Sequence, residues 1–167
     1  SNDLAFFESV MPGRVFAGED ISPDYDHDEM TIYGSYRPEA VLQALKTEEI
    51  SAVLKYCNER NIAVTPRGSG TGLCGGCVPK DGGVVLSTEK MKKVLEVDAK
   101  NMTATVEPGV LLMEFPKSLE GTGLFYPPDP GEKTATMGGN AMTNAGGMRA
   151  VRYGVTRDYV LGMEVVL

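Results

Sequence analysis

Residue types that build disulfide frameworks and metal sites are scarce in this sequence. It has three cysteines and one histidine, His27, in 167 residues. An odd number of cysteines fits a reducing compartment better than a disulfide framework. No run is long and apolar enough to span a bilayer, and the N-terminal residues lack the basic and apolar regions of a signal peptide. These absences predict a cytoplasmic protein without an integral membrane segment.

Positive charge is also in deficit. The formal net charge is −7 and the isoelectric point is near 4.8. Because nucleic acids and anionic membranes attract basic surfaces, this balance argues against either as the main partner. A hydrophobic content of 42% is enough to form a buried core in a chain of this length. It predicts one domain or two small subdomains.

Glycine, by contrast, is concentrated in one loop. Residues 66–79 read Pro-Arg-Gly-Ser-Gly-Thr-Gly-Leu-Cys-Gly-Gly-Cys-Val-Pro and follow the strand-like run 62–65. Glycines at this density allow positive φ angles and bring several N–H groups toward one point, which is how a backbone binds a phosphate. The loop therefore predicts a site for a phosphorylated cofactor.

The same loop contains a match to the Rossmann fingerprint, which needs a second test. Residues 70–75 fit G-x-G-x-x-G after a strand. A Rossmann loop opens into a helix whose N-terminus receives the pyrophosphate, whereas residues 76–83 predict a turn and residues 84–87 another strand. The pattern disfavours an NAD-binding Rossmann domain and predicts that exposed loop amides bind the anion.

Two further features of the loop region have simple structural interpretations. Cys74 and Cys77 have C-x-x-C spacing, but the sequence offers no second such pair and no nearby histidine. We therefore expect small side chains packed within the loop and no metal site. His27 lies in the acidic stretch 24–29, where a solvated loop is the default and a catalytic histidine the minority interpretation.

Hydrophobic periodicity predicts a mixed α/β order. Helix 4–10, strand 40–44, a helix from a threonine N-cap at Thr47 to about Asn61, and strands 62–65 and 84–87 follow one another. The strand–helix–strand unit predicts parallel strands with a right-handed crossover and places the glycine loop at a carboxyl strand end, where α/β proteins bind ligands. Runs 93–98 and 102–107 predict a hairpin, and residues 110–119 predict a helix that Pro116 kinks or breaks.

A second informative segment spans residues 126–154. It has three prolines in four residues and two Gly-Gly pairs, each within two residues of an asparagine. Glycine pairs permit close approach of the backbone to something flat or charged, and any helical turn would present Asn140 and Asn144 on one side. Amides suit the edges of a heterocycle or a ribityl chain. Long loops in compact domains are usually functional or disordered, and the interleaved apolar residues argue against disorder.

Five motifs in one order resemble a known family. They are residues 66–73, 126–130, 136–140, 143–147 and 152–161. Together they resemble the glycolate oxidase D-subunit and D-lactate dehydrogenase group, flavoenzymes with the vanillyl-alcohol-oxidase type of FAD-binding domain. The resemblance extends from about residue 6 to residue 167. It implies an α+β fold with an irregular N-terminal segment (1–35), a small parallel βαβ subdomain (36–90) and the first part of a larger, mostly antiparallel subdomain (91–167).

The resemblance also implies which residues hold the cofactor. The first loop of the family wraps the FAD pyrophosphate, and the second segment contacts the isoalloxazine ring or the ribityl chain. The pyrophosphate set here is Arg67, Gly68, Ser69, Gly70, Thr71, Gly72 and Leu73. The flavin set is Pro130, Thr136, Gly138, Gly139, Asn140, Thr143, Asn144, Ala145 and Gly146. Members with covalent flavin carry a histidine in the first loop, and its absence here implies noncovalent FAD.

The family reaction implied is oxidation of a D-2-hydroxy acid, of the glycolate or D-lactate class, to the 2-oxo acid by hydride transfer to flavin N5. An electron-transferring flavoprotein or an iron–sulfur subunit would be the partner. The family's catalytic base and substrate contacts lie in a later cap domain, so none maps here, and Arg149 and Arg152 fit a substrate contact or a surface role. The chain stops within the strand-like run 163–167, which predicts a truncated and catalytically silent fragment. A stand-alone FAD-binding or interaction module is the alternative.

Overall fold

A computed structural model describes residues 2–167. The chain divides into two compact units, the described part of Ser1–Lys90 with Val165–Leu167, and Met91–Glu164. The sequence predicts three parts, with boundaries after residues 35 and 90, and this division stays a prediction. Within the described residues, no helix combines the length and the apolar character needed to cross a membrane.

The first unit is built on a four-stranded sheet of β1 (Val15–Ala17), β2 (Ala40–Gln43), β3 (Val64–Arg67) and β4 (Val84–Ser87), in the order β1-β2-β4-β3. Strand β1 is antiparallel to β2, whereas β2 and β3 both run parallel to β4. Val41 and Val85 are fully buried in the sheet and form a cluster with Ile21. The elements are α1 (Asn2–Val10), β1 (Val15–Ala17), β2 (Ala40–Gln43), α2 (Thr47–Arg60), β3 (Val64–Arg67) and β4 (Val84–Ser87).

The predicted parallel strand–helix–strand unit is confirmed, and β4 lies between β2 and β3 in the sheet. The predicted cap of its helix is wrong. Thr47 is not the N-cap of α2: Lys46 takes that position without a side-chain cap. The helix start is held instead by Glu49, whose carboxylate accepts the N–H of Leu45 at 2.8 Å and two hydrogen bonds from Arg14 at 2.7 and 2.8 Å. A glutamate in the first turn can serve backbone N–H groups in this way.

The second unit begins with the predicted hairpin, which is confirmed. Strands β5 (Val94–Asp98) and β6 (Thr103–Val106) are antiparallel, with a bulge between Val94 and Glu96. Their half-buried valines pack with buried Val110, Phe115 and Leu119. Two short helices follow, α3 (Met137–Thr143) and α4 (Ala150–Tyr153).

The predicted helix over residues 110–119 is wrong. Leu111 forms an antiparallel bridge with Thr136, and the Leu112 N–H donates to the carbonyl of Ala135 at 2.9 Å. This pairing gives the backbone of Leu111 and Leu112 its hydrogen bonds, and residues 112–114 form a turn, so the apolar residues reach the core without an α-helix. Only Phe115–Leu119 form a 3-10 turn, with proline in its first positions, where the missing N–H is not needed.

Candidate cofactor site

The glycine loop begins where the parallel strand β3 ends. Residues 68–83 leave the carboxyl end of β3 and return to start β4 in the same direction beside it. Carboxyl ends of parallel strands are where ligands of α/β sheets usually bind. Gly70 and Gly75 have φ angles of 77° and 72°, a region that side chains with a Cβ rarely adopt.

A run of loop amides is available for a ligand. Among the described residues, the N–H groups of Gly70, Thr71, Gly72 and Leu73 donate to no protein acceptor. The first three residues are half-buried and Leu73 is exposed. Successive unpaired N–H groups attract anionic oxygens without needing charged side chains. The loop therefore fits a phosphate or pyrophosphate group.

Arg67 lies beneath this loop with its guanidinium already engaged. Nη2 donates to the carbonyl of Asp24 at 2.6 Å, and Nη1 donates to the carbonyl of His27 at 2.7 Å. The group also lies 5.4 Å from the centre of the Tyr25 ring. A Cβ at Gly70 would collide with Nη2, so the guanidinium occupies the space that this glycine leaves. Arg67 is predicted to bind cofactor, but these contacts are all with protein.

The acidic stretch 24–29 is not simply a solvated loop. Asp28 is only 3% exposed, and its Oδ2 accepts the N–H of Gly75 at 2.7 Å while Oδ1 accepts the N–H of Met30 at 2.9 Å. The N–H of Glu29 donates to the carbonyl of Gly72 at 3.2 Å. Sequence reasoning missed Asp28, because no local pattern separates it from the acidic residues around it. His27 itself is exposed.

The two loop cysteines differ in environment. Cys74 is exposed, whereas Cys77 is half-buried and its sulfur accepts a hydrogen bond from Arg67 at 3.3 Å. Burial raises the pKa of the Cys77 thiol, although the Arg67 charge opposes this. A raised pKa keeps the thiol protonated and unreactive at neutral pH. The packed role predicted for both cysteines thus fits Cys77 only.

A cavity of about 490 Å³ lies in the first unit and reaches Gly70. Its polar lining includes a chain in which Gln43 donates to the Tyr25 hydroxyl at 3.1 Å and that hydroxyl donates to Glu89 at 2.8 Å. The remaining lining is rich in carboxylates, which repel phosphate. The cavity is therefore not the anion site, and the loop amides are the better candidates.

The flavin set predicted from the sequence lies in the second unit, around α3. Thr136 caps this helix, since its Oγ1 accepts the Gly139 N–H at 3.1 Å. Asn140 is 3% exposed, and its Nδ2 has no hydrogen-bond partner among the described residues. A buried unpaired donor is costly, which is why such groups usually have a partner. The side chain fits a ligand that brings an acceptor.

Asn144 does not share a helix side with Asn140. Helix α3 ends at Thr143, and Asn144 follows in the left-handed conformation with a φ of 52°. It is exposed, and its Oδ1 accepts the N–H of Arg157 at 3.0 Å. The expected pairing of the two amides is therefore absent, because the helix is one residue too short.

The glycines of this segment have packing roles within the chain. A Cβ at Gly138 would lie 2.6 Å from the Pro108 Cβ, and one at Gly147 would collide with the Asp129 carbonyl. A Cβ at Gly146 would lie 2.9 Å from a methyl group of Val155. Close approach to a flat ligand is therefore not needed to explain these positions.

Other predicted residues of the second unit are held by local contacts. Pro130 is buried, and the Thr143 hydroxyl donates to the Gly139 carbonyl at 2.9 Å. The Ala145 carbonyl accepts the Thr156 hydroxyl at 2.6 Å.

The two arginines have side-chain partners of their own. Arg149 forms an ion pair of 3.5 Å with Asp129. Arg152 is exposed and lies 5.1 Å from the centre of the Tyr153 ring.

The first unit has free loop amides after a parallel strand, and the second unit has a buried unpaired amide donor; each feature by itself suits a nucleotide-type cofactor. The family model described as FAD binding domain matches residues 38–167. The chain therefore belongs to this family of FAD-binding domains, and FAD is its cofactor.

Similar proteins agree with this assignment. The chain is 55% identical over 161 residues to a D-lactate dehydrogenase of Anaerostipes hadrus, covering 96% of the chain and 34% of that protein. It is 46% identical over 162 residues to the glycolate oxidase subunit GlcD of Bacillus subtilis strain 168, covering 96% and 33%. The chain thus spans about a third of the length of these relatives.

A solved structure confirms the fold class. An alkyldihydroxyacetonephosphate synthase superposes with a TM-score of 0.81 at 21% identity, covering 94% of this chain and 32% of that one. The predicted α+β fold of the vanillyl-alcohol-oxidase type, with parallel strands followed by an antiparallel pair, is confirmed.

Proposed function

We propose that this chain is the FAD-binding part of an oxidoreductase that converts a D-2-hydroxy acid, of the glycolate or D-lactate class, to the 2-oxo acid. The run of free amides from Gly70 to Leu73 is the observation that carries the cofactor half of the proposal. The substrate half is supported by the names of the D-lactate dehydrogenase and glycolate oxidase relatives. When bound, FAD supplies the hydride acceptor at its N5 atom.

The residues of the chain bind and orient in this proposal. The amides of Gly70–Leu73 hold the pyrophosphate, and the remaining members of the predicted pyrophosphate set shape their loop. Asn140 donates from its buried Nδ2 to an acceptor on the flavin or ribityl portion, which ends its unpaired state. The Thr136 cap fixes the helix that carries Asn140. The other predicted flavin contacts complete this half of the site.

The mode of attachment and the partners are part of the same proposal. Loop 66–79 has no histidine, which supports noncovalent FAD. The relative from Bacillus subtilis is named as a subunit, which supports transfer of electrons to a partner such as an electron-transferring flavoprotein or an iron–sulfur subunit. The three free cysteines support a reducing, cytoplasmic location.

An anaerobic reduction experiment tests the substrate. The full-length protein that contains this chain is mixed with D-lactate, L-lactate, glycolate or D-2-hydroxyglutarate, and the visible flavin absorption is followed. We expect one of the achiral or D-configured acids to bleach the flavin, and L-lactate to leave it oxidised. A flavin that no 2-hydroxy acid reduces would instead support the non-catalytic FAD module.

A further inference from the structure

The acidic segment, residues 24–33, holds the glycine loop along its length. At the start of the loop, both terminal nitrogens of Arg67 donate to carbonyls of Asp24 and His27. Further along, the Asp28 carboxylate accepts the Gly75 N–H at 2.7 Å. The aromatic ring of Tyr33 packs where a Cβ on Gly75 would lie 2.8 Å from it.

A further contact of the acidic segment orients one of the free amides, that of Leu73. The carbonyl of Gly72 accepts the N–H of Glu29 and so points toward the acidic segment. In a trans peptide the carbonyl and the following N–H point in opposite directions. The N–H of Leu73 is therefore turned away from the acidic segment, toward the side on which a ligand would lie.

We infer that Asp28 and Arg67 are positioning residues for the cofactor pyrophosphate: they hold the glycine loop in the shape that presents its free amides, and neither touches the phosphates. The identity of the ligand rests on the proposed function. The terminal nitrogens of Arg67 donate hydrogen bonds to carbonyls and to the Cys77 sulfur, below the loop. Asp28 is a carboxylate, which could only repel a phosphate that it touched.

This role predicts that Asp28→Asn changes FAD affinity in the direction opposite to that expected from charge alone. Asp28→Asn removes a negative charge near the anion site, so electrostatics alone predicts tighter FAD binding. The amide also replaces one of two acceptor oxygens, so either the Gly75 or the Met30 N–H loses its partner. A lost hydrogen bond to a charged group is enough to depopulate the loop shape and weaken FAD binding by about tenfold or more.

Glu29→Gln is the matched control. It removes the same charge one residue away, and Glu29 reaches the loop through its backbone N–H, which the substitution retains. FAD is titrated into the flavin-free, full-length protein and its variants, and the dissociation constants are compared. We expect a rise of at least about tenfold for Asp28→Asn and an unchanged or lower value for Glu29→Gln. An Asp28→Asn variant that binds FAD as tightly as wild type overturns the inference.

The role of Arg67 is tested with one variant that keeps the positive charge and one that removes it. Arg67→Lys keeps the positive charge but lacks the planar fork that serves two carbonyls at once. A direct phosphate contact predicts that lysine retains most of the FAD affinity, whereas positioning predicts losses similar to those of Arg67→Met. Affinity kept by lysine and lost with methionine would overturn this half of the inference.

Hydrogen exchange separates the inference from the proposed function. In the flavin-free protein, the hydrogen-bonded amides of Glu29, Gly75 and Val78 should exchange faster in Asp28→Asn and Arg67→Met than in wild type, and at the wild-type rate in Glu29→Gln. Slow amide exchange in β2 and β4 checks that each variant is folded. If Asp28→Asn does not fold, the FAD affinity of Arg67→Lys tests the inference in its place. Unchanged loop exchange contradicts positioning. Failure of the wild-type protein to bind FAD contradicts the proposed function and leaves this exchange test valid.

Discussion

Replacing Asn140 with leucine is expected to stabilise the flavin-free protein and to weaken FAD binding. The side chain is 3% exposed, so its unpaired Nδ2 has lost its water without gaining a protein partner. Leaving such a donor buried costs about 1–3 kcal/mol. Leucine has a similar size and no donor, and it is also slightly better than asparagine within a helix. We therefore expect a gain of about 1–2 kcal/mol in the free energy of unfolding.

The same substitution removes the donor that the cofactor would use. A neutral hydrogen bond contributes about 1 kcal/mol net, and the acceptor on the cofactor would in addition be left without a partner. Since 1.4 kcal/mol corresponds to tenfold in an equilibrium constant, we expect FAD affinity to fall by about tenfold. Stability and affinity therefore move in opposite directions.

Asn144→Ala is the comparison variant, because Asn144 is also a predicted flavin contact but its side chain already has a protein partner. Asn144 is exposed, lies in the left-handed conformation and accepts a hydrogen bond from the Arg157 N–H. Alanine tolerates that conformation poorly, so this variant should lose about 1 kcal/mol of stability. Urea unfolding of the flavin-free, full-length protein and FAD titration are measured for both variants. If Asn140→Leu is less stable than wild type and binds FAD equally well, the assignment of Asn140 as a ligand donor is refuted.

Three other perturbations follow from contacts within each unit. Hydrogen bonds from Arg14 hold the pKa of Glu49 below its ordinary value, so this pair stabilises the fold at neutral pH and loses its effect as pH falls through the lowered pKa. Glu49→Gln should therefore lower the free energy of unfolding by about 3 kcal/mol at neutral pH and change it little in acid. Urea unfolding at a series of pH values measures both. Gly138→Ala should destabilise by about 1–3 kcal/mol, because its Cβ would press on Pro108, and a thermal unfolding midpoint equal to wild type would contradict this packing role. Phe115→Ala removes a buried ring from the second core and should cost about 3–5 kcal/mol in the same assay, whereas a loss below 1 kcal/mol would mean that the ring is not packed there.

Local pattern predicted much of the fold because the pattern and the burial agree. Val84–Ser87 is a short apolar run and forms a buried central strand. The alternating residues on both sides of the turn at Lys100 form the hairpin for the same reason. The prediction that residues 70–75 are not a Rossmann motif is confirmed, since the next regular element is a strand and not a helix.

The failures occur where distant segments supply the partners. Residues 111–114 form a bridge and a turn instead of a helix because residues 133–136 offer backbone partners, which no local periodicity can reveal. Helical spacing alone placed Asn140 and Asn144 on one side, but the helix ends between them.

The candidate site shows the same limit at single residues. Glycine density predicted an anion loop, yet the sequence did not show that Asp28 accepts the Gly75 N–H or that Arg67 donates to the His27 carbonyl. Asp28 is 47 residues from Gly75, so its role depends on tertiary structure. The sequence predicted an amide contact at Asn140, but only the three-dimensional structure shows that its Nδ2 is buried without a hydrogen-bond partner among the described residues.

Flavin analysis of the purified full-length protein tests the central claim most directly. The protein is precipitated with acid, and the flavin in the supernatant is identified and quantified against the protein. The free loop amides and the unpaired Asn140 donor predict FAD in stoichiometric amount, released entirely into the supernatant. A protein that carries no FAD and takes none up on titration, or flavin that stays in the precipitate, would contradict a noncovalent FAD site built on these residues.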